Sequence, residues 1–284
     1  MIEKYPVTLD ARKARYVLGF NRASALAGKL ARTRLPGPAL QAVIKSYAAF
    51  FKVDLDEMND DLADFSSFDQ FFVRELKPGL RPIEASSNVM VSPSDGKLHN
   101  FGTIHDGRIP QVKGFDYSVA DFLGNPAMAA RFEGGTYATI YLSPRDYHRV
   151  HCPLDGSIAE CRHIPGALYS VSPMFVQGMR FLFTTNERIP IYVDTQFGRV
   201  CVVMVGATVV GRITLSFSEL ETNRTNARAA ERFQPALSIA KGDELGAFHL
   251  GSTVVILAEG QWKPKELSEH LPVKMGMPLF ESAY

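Results

Sequence analysis

The stretch VCVVMVGATVV, Val200 to Val210, is the longest apolar run in the chain. Its 11 residues fall well short of the roughly 20 needed to cross a bilayer as a helix. The run is rich in β-branched valine and is closed by Gly211-Arg212, so it reads as a buried strand. Similar β-prone runs surround it: Asn88–Ser92, Thr136–Leu142, Ile189–Val193, Val200–Val205, Thr208–Phe217 and Thr253–Leu257, punctuated by Gly and Pro. Short helices are expected at Val119–Leu123 and Pro126–Phe132. Towards the N-terminus the period changes. Leu40, Val43, Ile44, Tyr47 and Phe51 recur at helical spacing after Pro38, which suits a first helical turn. The expected fold class is α+β, a mostly antiparallel β domain with an N-terminal amphipathic helical segment. The expected division is residues 1–65 for the helical segment and 66–284 for the β domain. Asp54–Asp69 would connect them, and SFDQFFVR (67–74) would start the docked part.

Composition narrows the class of protein. A chain of 284 residues can bury about 75% of its unfolded surface, so a core forms without staples. With 46% hydrophobic and 21% charged residues, disorder and collagen-like repeats are excluded. The three cysteines, Cys152, Cys161 and Cys201, are too few and too scattered for a disulfide framework, which suggests a reducing compartment. The opening MIEKYPVTLD is charged and lacks the apolar core of a signal peptide. A formal net charge of +1 gives no electrostatic footprint for nucleic acid, and no such partner is expected.

That near-neutral total hides two opposed blocks. Residues 1–52 carry ten Lys or Arg against two acids, a net +8, while residues 53–75 carry eight acids against one Arg, a net −7. In the basic block Tyr16, Phe20, Ala23, Ala27 and Leu30 share one side of a helical wheel, and Arg15, Arg22 and Lys29 run beside it. Leu18 and Leu26 fall outside the apolar side. A basic amphipathic helix of this kind can lie in a membrane interface, where each basic residue adds about 1 kcal/mol of attraction to anionic lipid. Two helices packed on the domain with solvated charges are the plainer alternative.

Three short motifs can carry chemistry. Ser94-Asp95-Gly96 contains a strong turn signal and on its own reads as a hairpin tip. In Tyr147-His148-Arg149-Val150-His151 the two imidazoles could share a metal only on a helix, which Pro144 and Pro153 disfavour. In an extended segment the rings would point to opposite sides, and no third ligand is evident, so no metal site is expected. Leu250-Gly251-Ser252-Thr253 precedes an apolar strand. There Gly251 offers an unshielded carbonyl, and Ser252, the next residue, carries a hydroxyl that can attack it and needs a base, usually a His oriented by a carboxylate.

The conjunction of SPSDG (92–96), YLSPRDYHRVH (141–151) and LGST (250–253) resembles the phosphatidylserine decarboxylases. FDQFFVREL (68–76), LRPIE (80–84), VKGFDYSV (112–119), NERIP (186–190) and VGATVVGRI (205–213) extend the resemblance over nearly the whole chain. It implies a proenzyme. Asp95 orients His151, and His151 takes the proton of Ser252. Oγ attacks the Gly251 carbonyl, and β-elimination and hydrolysis turn Ser252 into a pyruvoyl group. Residues 1–251 become the large chain and the 33 residues 252–284 the small one. The pyruvoyl ketone is then the covalent cofactor, forming a Schiff base with the serine amine of phosphatidylserine and drawing in the electrons released with carbon dioxide, as pyridoxal phosphate does elsewhere. The product is phosphatidylethanolamine. His148 would assist this stage, as proton donor or by orienting the imine, since an unperturbed imidazole titrates near 6.5.

The resemblance further implies a peripheral enzyme on the cytoplasmic face of the cell membrane, docked through residues 1–65. The two chains of one precursor would be its partners, with a homodimer as a candidate assembly. Two other readings compete. A Ser-His-Asp lipid hydrolase would keep Ser252, yet the sequence lacks a G-x-S-x-G elbow there. A non-catalytic membrane-binding β module would use Gly251-Ser252 only as a turn. Both predict an intact chain.

Overall fold

The computed structural model describes residues 26–112, 115–171, 176, 178–208, 212–222, 229–249 and 252–283. Sixteen strands dominate it, all paired antiparallel. They are β1 (Val89–Val91), β2 (Gly96–Thr103), β3 (Arg108–Val112), β4 (Phe115–Ser118), β5 (Thr136–Leu142), β6 (Arg149–His151), β7 (Gly156–His163) and β8 (Arg188–Thr195). Then follow β9 (Gly198–Gly206), β10 (Arg212–Leu215), β11 (Ala229–Ile239), β12 (Glu244–His249), β13 (Ser252–Ala258), β14 (Trp262–Pro264), β15 (Pro272–Val273) and β16 (Pro278–Ser282). The main sheet has eight strands in the order β11-β7-β8-β9-β13-β5-β2-β15, and β10-β12-β6 and β1-β16-β14 form two three-stranded sheets. The fold class is α+β, as the alternation of short β-prone runs and turns predicts.

The centre of the main sheet is apolar on both faces. Val200 to Val205 of β9 and Val254 to Leu257 of β13 are all at most 1% exposed. Burial on both sides explains why these strands read as continuous apolar runs rather than as alternating ones. The opening run does not continue as one strand to Val210. β9 ends at Gly206, whose N–H donates to the Glu187 carbonyl, and the next strand begins at Arg212 in a different sheet. Residues 209–211 lie outside the described residues.

The hairpin reading of Ser94-Asp95-Gly96 is corrected by the topology. β1 pairs with β16, whereas β2 pairs with β5 and β15, so the turn passes the chain between two sheets. Glycine is required at 96 because a Cβ there would sit 2.5 Å from the Tyr141 carbonyl of β5.

A second, smaller core is helical. Helix α1 (Gly37–Phe51) has Pro38 in its first turn and ends at Lys52, whose left-handed backbone donates to the Ala48 carbonyl. Leu40, Ile44 and Ala48 are buried against Val53, Met58, Phe65 and Phe71. Tyr47 and Phe51 pack alongside, but Val43 faces outward, so the apolar face is narrower than its spacing predicts. Helix α2 (Phe68–Phe72) is capped by Ser67, which accepts from the Gln70 N–H, while the Gln70 side chain accepts from the Ser66 N–H. Phe68 and Phe71 belong to this small core, which therefore extends past the expected boundary at residue 65. The helix expected over Tyr16–Leu30 lies outside the described residues up to 25, and residues 26–31 are helical. No helix among the described residues is long and apolar enough to cross a membrane.

Candidate active site

Ser252 is the first residue of β13, the strand inserted between β9 and β5, and it pairs with Gly206 on one side and Leu142 on the other. Gly251 and Leu250 lie outside the described residues, and the described neighbours on either side of them are His249 and Ser252. Upstream, β12 ends at Phe248-His249, and the Phe248 N–H donates to the His148 carbonyl. Downstream, Leu142 leads directly into the loop Ser143–Tyr147 that delivers His148 and His151. Both histidines are therefore tied to the strands that bracket the bond.

His151 is buried, and both ring nitrogens are engaged. Nδ1 lies 2.8 Å from the Gly242 carbonyl and Nε2 lies 3.0 Å from the Tyr147 hydroxyl. A carbonyl only accepts, so Nδ1 carries the proton and Nε2 is the basic nitrogen, receiving the Tyr147 O–H. Burial raises the Tyr147 pKa, keeping the phenol a donor, and burial lowers that of His151 despite the Gly242 hydrogen bond. A neutral imidazole with a basic Nε2 has the state a general base requires.

Asp95 does not make the hydrogen bond to His151 that the triad reading implies. Its carboxylate is 1% exposed and takes two contacts from Arg81 Nε and Nη2, at 2.9 and 2.6 Å, one from Lys274 Nζ at 3.0 Å and one from the Met275 N–H at 2.9 Å. Burial raises its pKa, but the Arg81 hydrogen bonds, the Met275 amide and the two positive charges outweigh it, so the carboxyl sits below its ordinary value and is ionised. Two cations and an amide hold the carboxylate, while the ring nitrogens of His151 are saturated elsewhere. The link between the two residues is the main chain, because the His151 N–H donates to the Pro93 carbonyl of the Asp95 turn at 2.8 Å.

His148 sits differently. Its ring is 1% exposed and stacks on Phe72 of α2, with centroids 4.1 Å apart. Neither ring nitrogen has a hydrogen-bond partner of ordinary geometry. Burial, with help from the nearby Arg74 cation, pushes its pKa down to about 3. The free-imidazole value assumed for it in the sequence reading is therefore corrected: His148 is neutral at pH 7, and an imidazolium donor is not available in this state.

A buried carboxylate–imidazole pair that no sequence motif marks lies at the end of β12. His249, at the end of β12, lies 2.8 Å through Nδ1 from Asp69 Oδ1, and its Nε2 contacts the Thr214 hydroxyl at 3.1 Å. Arg212 completes the cluster at 3.4 Å from Asp69. The only sequence signal was position, with His249 two residues before Gly251. The same contacts give the acidic connector a role. Glu57 bonds Arg81, Asp69 bonds His249 and Glu75 bonds Arg149, so three of the eight acids in residues 53–75 hold cations or imidazoles. Among the described residues no group of three or more His, Cys, Asp or Glu is placed to hold a metal ion.

Beside β13 lies a cavity of about 230 Å³, reached past Lys97, His99 and His270 and lined deeper in by Thr139, Tyr141 and Thr253. Its volume is below the roughly 300–1,000 Å³ of sites for drug-sized ligands, so it suits a headgroup rather than a whole lipid.

An antiparallel β protein whose central strand begins at Ser252, with two neutral buried histidines on the segment that follows the neighbouring strand β5, defines the class. The model of the phosphatidylserine decarboxylase family matches residues 68–281. The chain is 40% identical over 267 residues to the phosphatidylserine decarboxylase proenzyme of Myxococcus xanthus, covering 93% of this chain and 95% of that one. It is 42% identical over 265 residues to the Anaeromyxobacter proenzyme, covering 91% and 93%, and 40% identical over 286 residues to that of Yersinia enterocolitica, covering 96% and 97%. The chain belongs to the phosphatidylserine decarboxylase family.

Proposed function

We propose that the protein is a proenzyme that cleaves itself between Gly251 and Ser252 and then, as a carboxy-lyase, converts phosphatidylserine to phosphatidylethanolamine. The observation that carries this is the placement of Ser252 at the start of β13, laddered on both sides, with a cavity opening at the next residue. In maturation His151 Nε2 accepts the Ser252 hydroxyl proton, directly or through the Tyr147 hydroxyl. Oγ attacks the Gly251 carbonyl and the amide becomes an ester. Elimination across Cα–Cβ releases residues 1–251 as a carboxylate. Addition of water and loss of ammonia leave a pyruvoyl group at 252. Asp95 supports this electrostatically, as a fixed negative charge on the turn that also binds the His151 backbone. The serine is consumed, which separates this chemistry from the lipid-hydrolase reading.

The surroundings of residue 252 fit such a group. The neighbouring Thr253 is 1% exposed, lines the cavity and has an unpartnered hydroxyl, the kind of orphaned polar atom a bound polar headgroup satisfies. A pyruvoyl group supplies an electron sink for decarboxylation. The chain's residues then bind and orient. Thr253 and the cavity wall hold the headgroup, and neutral His148, braced by Phe72, offers its ring for orientation. The purified protein is expected as two chains, 1–251 and 252–284, the shorter blocked at its N-terminus. A single intact chain with full decarboxylase activity would overturn the proposal.

Docking at the cytoplasmic face of the membrane, through residues 1–65, belongs to the same proposal. Its support is an exposed apolar set on a basic segment. Leu30 is 63% exposed and Phe50 79%, with Leu26, Leu35 and Val43 also outward, among Lys29, Arg32, Arg34, Lys45 and Lys52. Leu30→Asp with Phe50→Asp is expected to reduce binding to vesicles containing anionic lipid by tenfold or more, in about the proportion set by about 25 cal/mol per Å² of apolar surface lost. Unchanged sedimentation with vesicles would remove the helices from the docking surface.

A further inference from the structure

The mouth of the cavity beside residue 252 carries Lys97 and two imidazoles, of which His99 also bonds the Gln111 main chain. Lys97 sits on β2, opposite Tyr141 of β5, and Tyr141 is opposite Thr253 of β13. His99 occupies the irregularity of β2 between Leu98 and Asn100. His270 is brought over the same strand by its N–H, which donates to the Leu98 carbonyl at 2.7 Å, and the two imidazoles lie 5.7 Å apart. Lys97 and His270 are exposed, whereas Thr253 and Thr139 at the inner end are buried. The Lys97 ammonium makes no hydrogen bond or ion pair among the described residues, unlike those of Lys265 and Lys274, which hold Glu281 and Asp95. Glu269, next to His270, acts on His99 in the opposite sense to Lys97 and His270. The cluster is thus Lys97 and two imidazoles beside one acid, with His99 held towards its neutral form by burial, at the entrance to a cavity whose floor carries an unpartnered hydroxyl.

The chemistry of the proposed substrate says what such an entrance would meet. In a serine phospholipid the phosphorus lies four bonds from the amine nitrogen, a reach of roughly 5 Å. Neighbouring strands are about 4.8 Å apart. With the amine at residue 252, the phosphodiester falls over β5, where Leu142 pairs with residue 252 and Tyr141 with Thr253, and within reach of the Lys97 stem. We infer that Lys97, together with His99 and His270, binds the phosphodiester of the lipid headgroup at the mouth of this cavity, with the serine end inside against Thr253. The assignment rests on the decarboxylase reading. It makes these three residues the discriminators between a serine phospholipid and free serine, and it leaves the acyl chains outside.

The test compares wild type with Lys97→Gln and with Lys97→Gln/His270→Gln. Both variants are expected to mature into the same two chains and to show KM for phosphatidylserine in mixed micelles raised about tenfold, with kcat within about twofold. Lys97→Arg is expected to restore KM. Glycerophosphoethanolamine should inhibit wild type and lose about tenfold in potency on the variants. Ethanolamine, which lacks the phosphodiester, should inhibit all forms alike, and inorganic phosphate should inhibit none at the same concentration. Unchanged KM, or a loss confined to kcat, in the exposed single variant would overturn the inference while leaving the decarboxylase reading intact. Equal inhibition by inorganic phosphate would replace the headgroup with a bare anion and overturn it too. A wild type that neither splits nor decarboxylates would remove the reading beneath it.

Discussion

Ser252→Ala is expected to remain one chain of 284 residues and to show no decarboxylase activity. The substitution removes one oxygen from a residue whose backbone is paired on both sides. The strand after it, Val254 to Ala258, stays at most 1% exposed whatever occupies position 252, so the fold should be retained. Without Oγ there is no internal nucleophile for the Gly251 carbonyl, and no pyruvoyl group can form. The effect on both readouts is complete. Gel mobility and intact mass report cleavage, carbon dioxide release reports activity, and an unchanged thermal transition controls for folding. Cleavage of the alanine protein at residue 251 would show that another group is the nucleophile. The lipid-hydrolase reading shares the loss of activity but predicts an intact wild type, so the mass of the wild type separates the two.

The two histidines should divide the reaction between them. His151→Ala is expected to stay uncleaved and inactive, because its Nε2 is the basic nitrogen whose tautomer is set by the Gly242 carbonyl. His148→Ala is expected to cleave normally yet decarboxylate with kcat about 10²–10⁴-fold lower, the usual span for a lost acid–base or orienting group. The physical basis is their different surroundings. His151 is held by two hydrogen bonds of ordinary geometry within the site, whereas His148 is stacked on Phe72 and meets only the Ser143 and Pro144 main chain. Removing His148 leaves Phe72 against a small cavity at a cost of about 2–4 kcal/mol, so His148→Gln is the companion variant that retains volume. Failure of both His148 variants to mature would place this ring in the cleavage step and dissolve the division.

The strands were legible because their signal is local. Thr136–Leu142 and Val119–Leu123 coincide with β5 and with an α-helical turn over the same residues, and Pro126–Phe132 divides into a short α-helix and a 3₁₀ turn. Valine-rich runs bounded by Gly define strands through backbone and side-chain preferences that act within a few residues. The apolar run from Val200 divides between β9 and β10 as the separate β-prone stretches Val200–Val205 and Thr208–Phe217 predict, and a tertiary contact marks the end of β9, the Gly206 amide donating to the Glu187 carbonyl. Val43 was misassigned for a tertiary reason. Periodicity places it on the apolar side of α1, but only the packing of Phe65 and Phe71 decides how wide that side is.

The site was legible as a set of residue types and illegible as a set of contacts. Sequence alone determined that Gly251 and Ser252 are covalent neighbours, that His148 and His151 arrive together, and that a +8 block adjoins a −7 block. Those properties belong to bonds and spacings along the chain. Only the tertiary structure decided that Asp95 is caged by Arg81, by Lys274 from 179 positions away and by the Met275 amide from 180, rather than bonded to His151. It also decided that Asp69 meets His249 across 180 positions, and that burial makes both motif histidines neutral. The reason is that a carboxylate takes the donors that folding brings to it, and a pKa follows the solvent that folding removes. Neither quantity is carried by the order of residues along the chain.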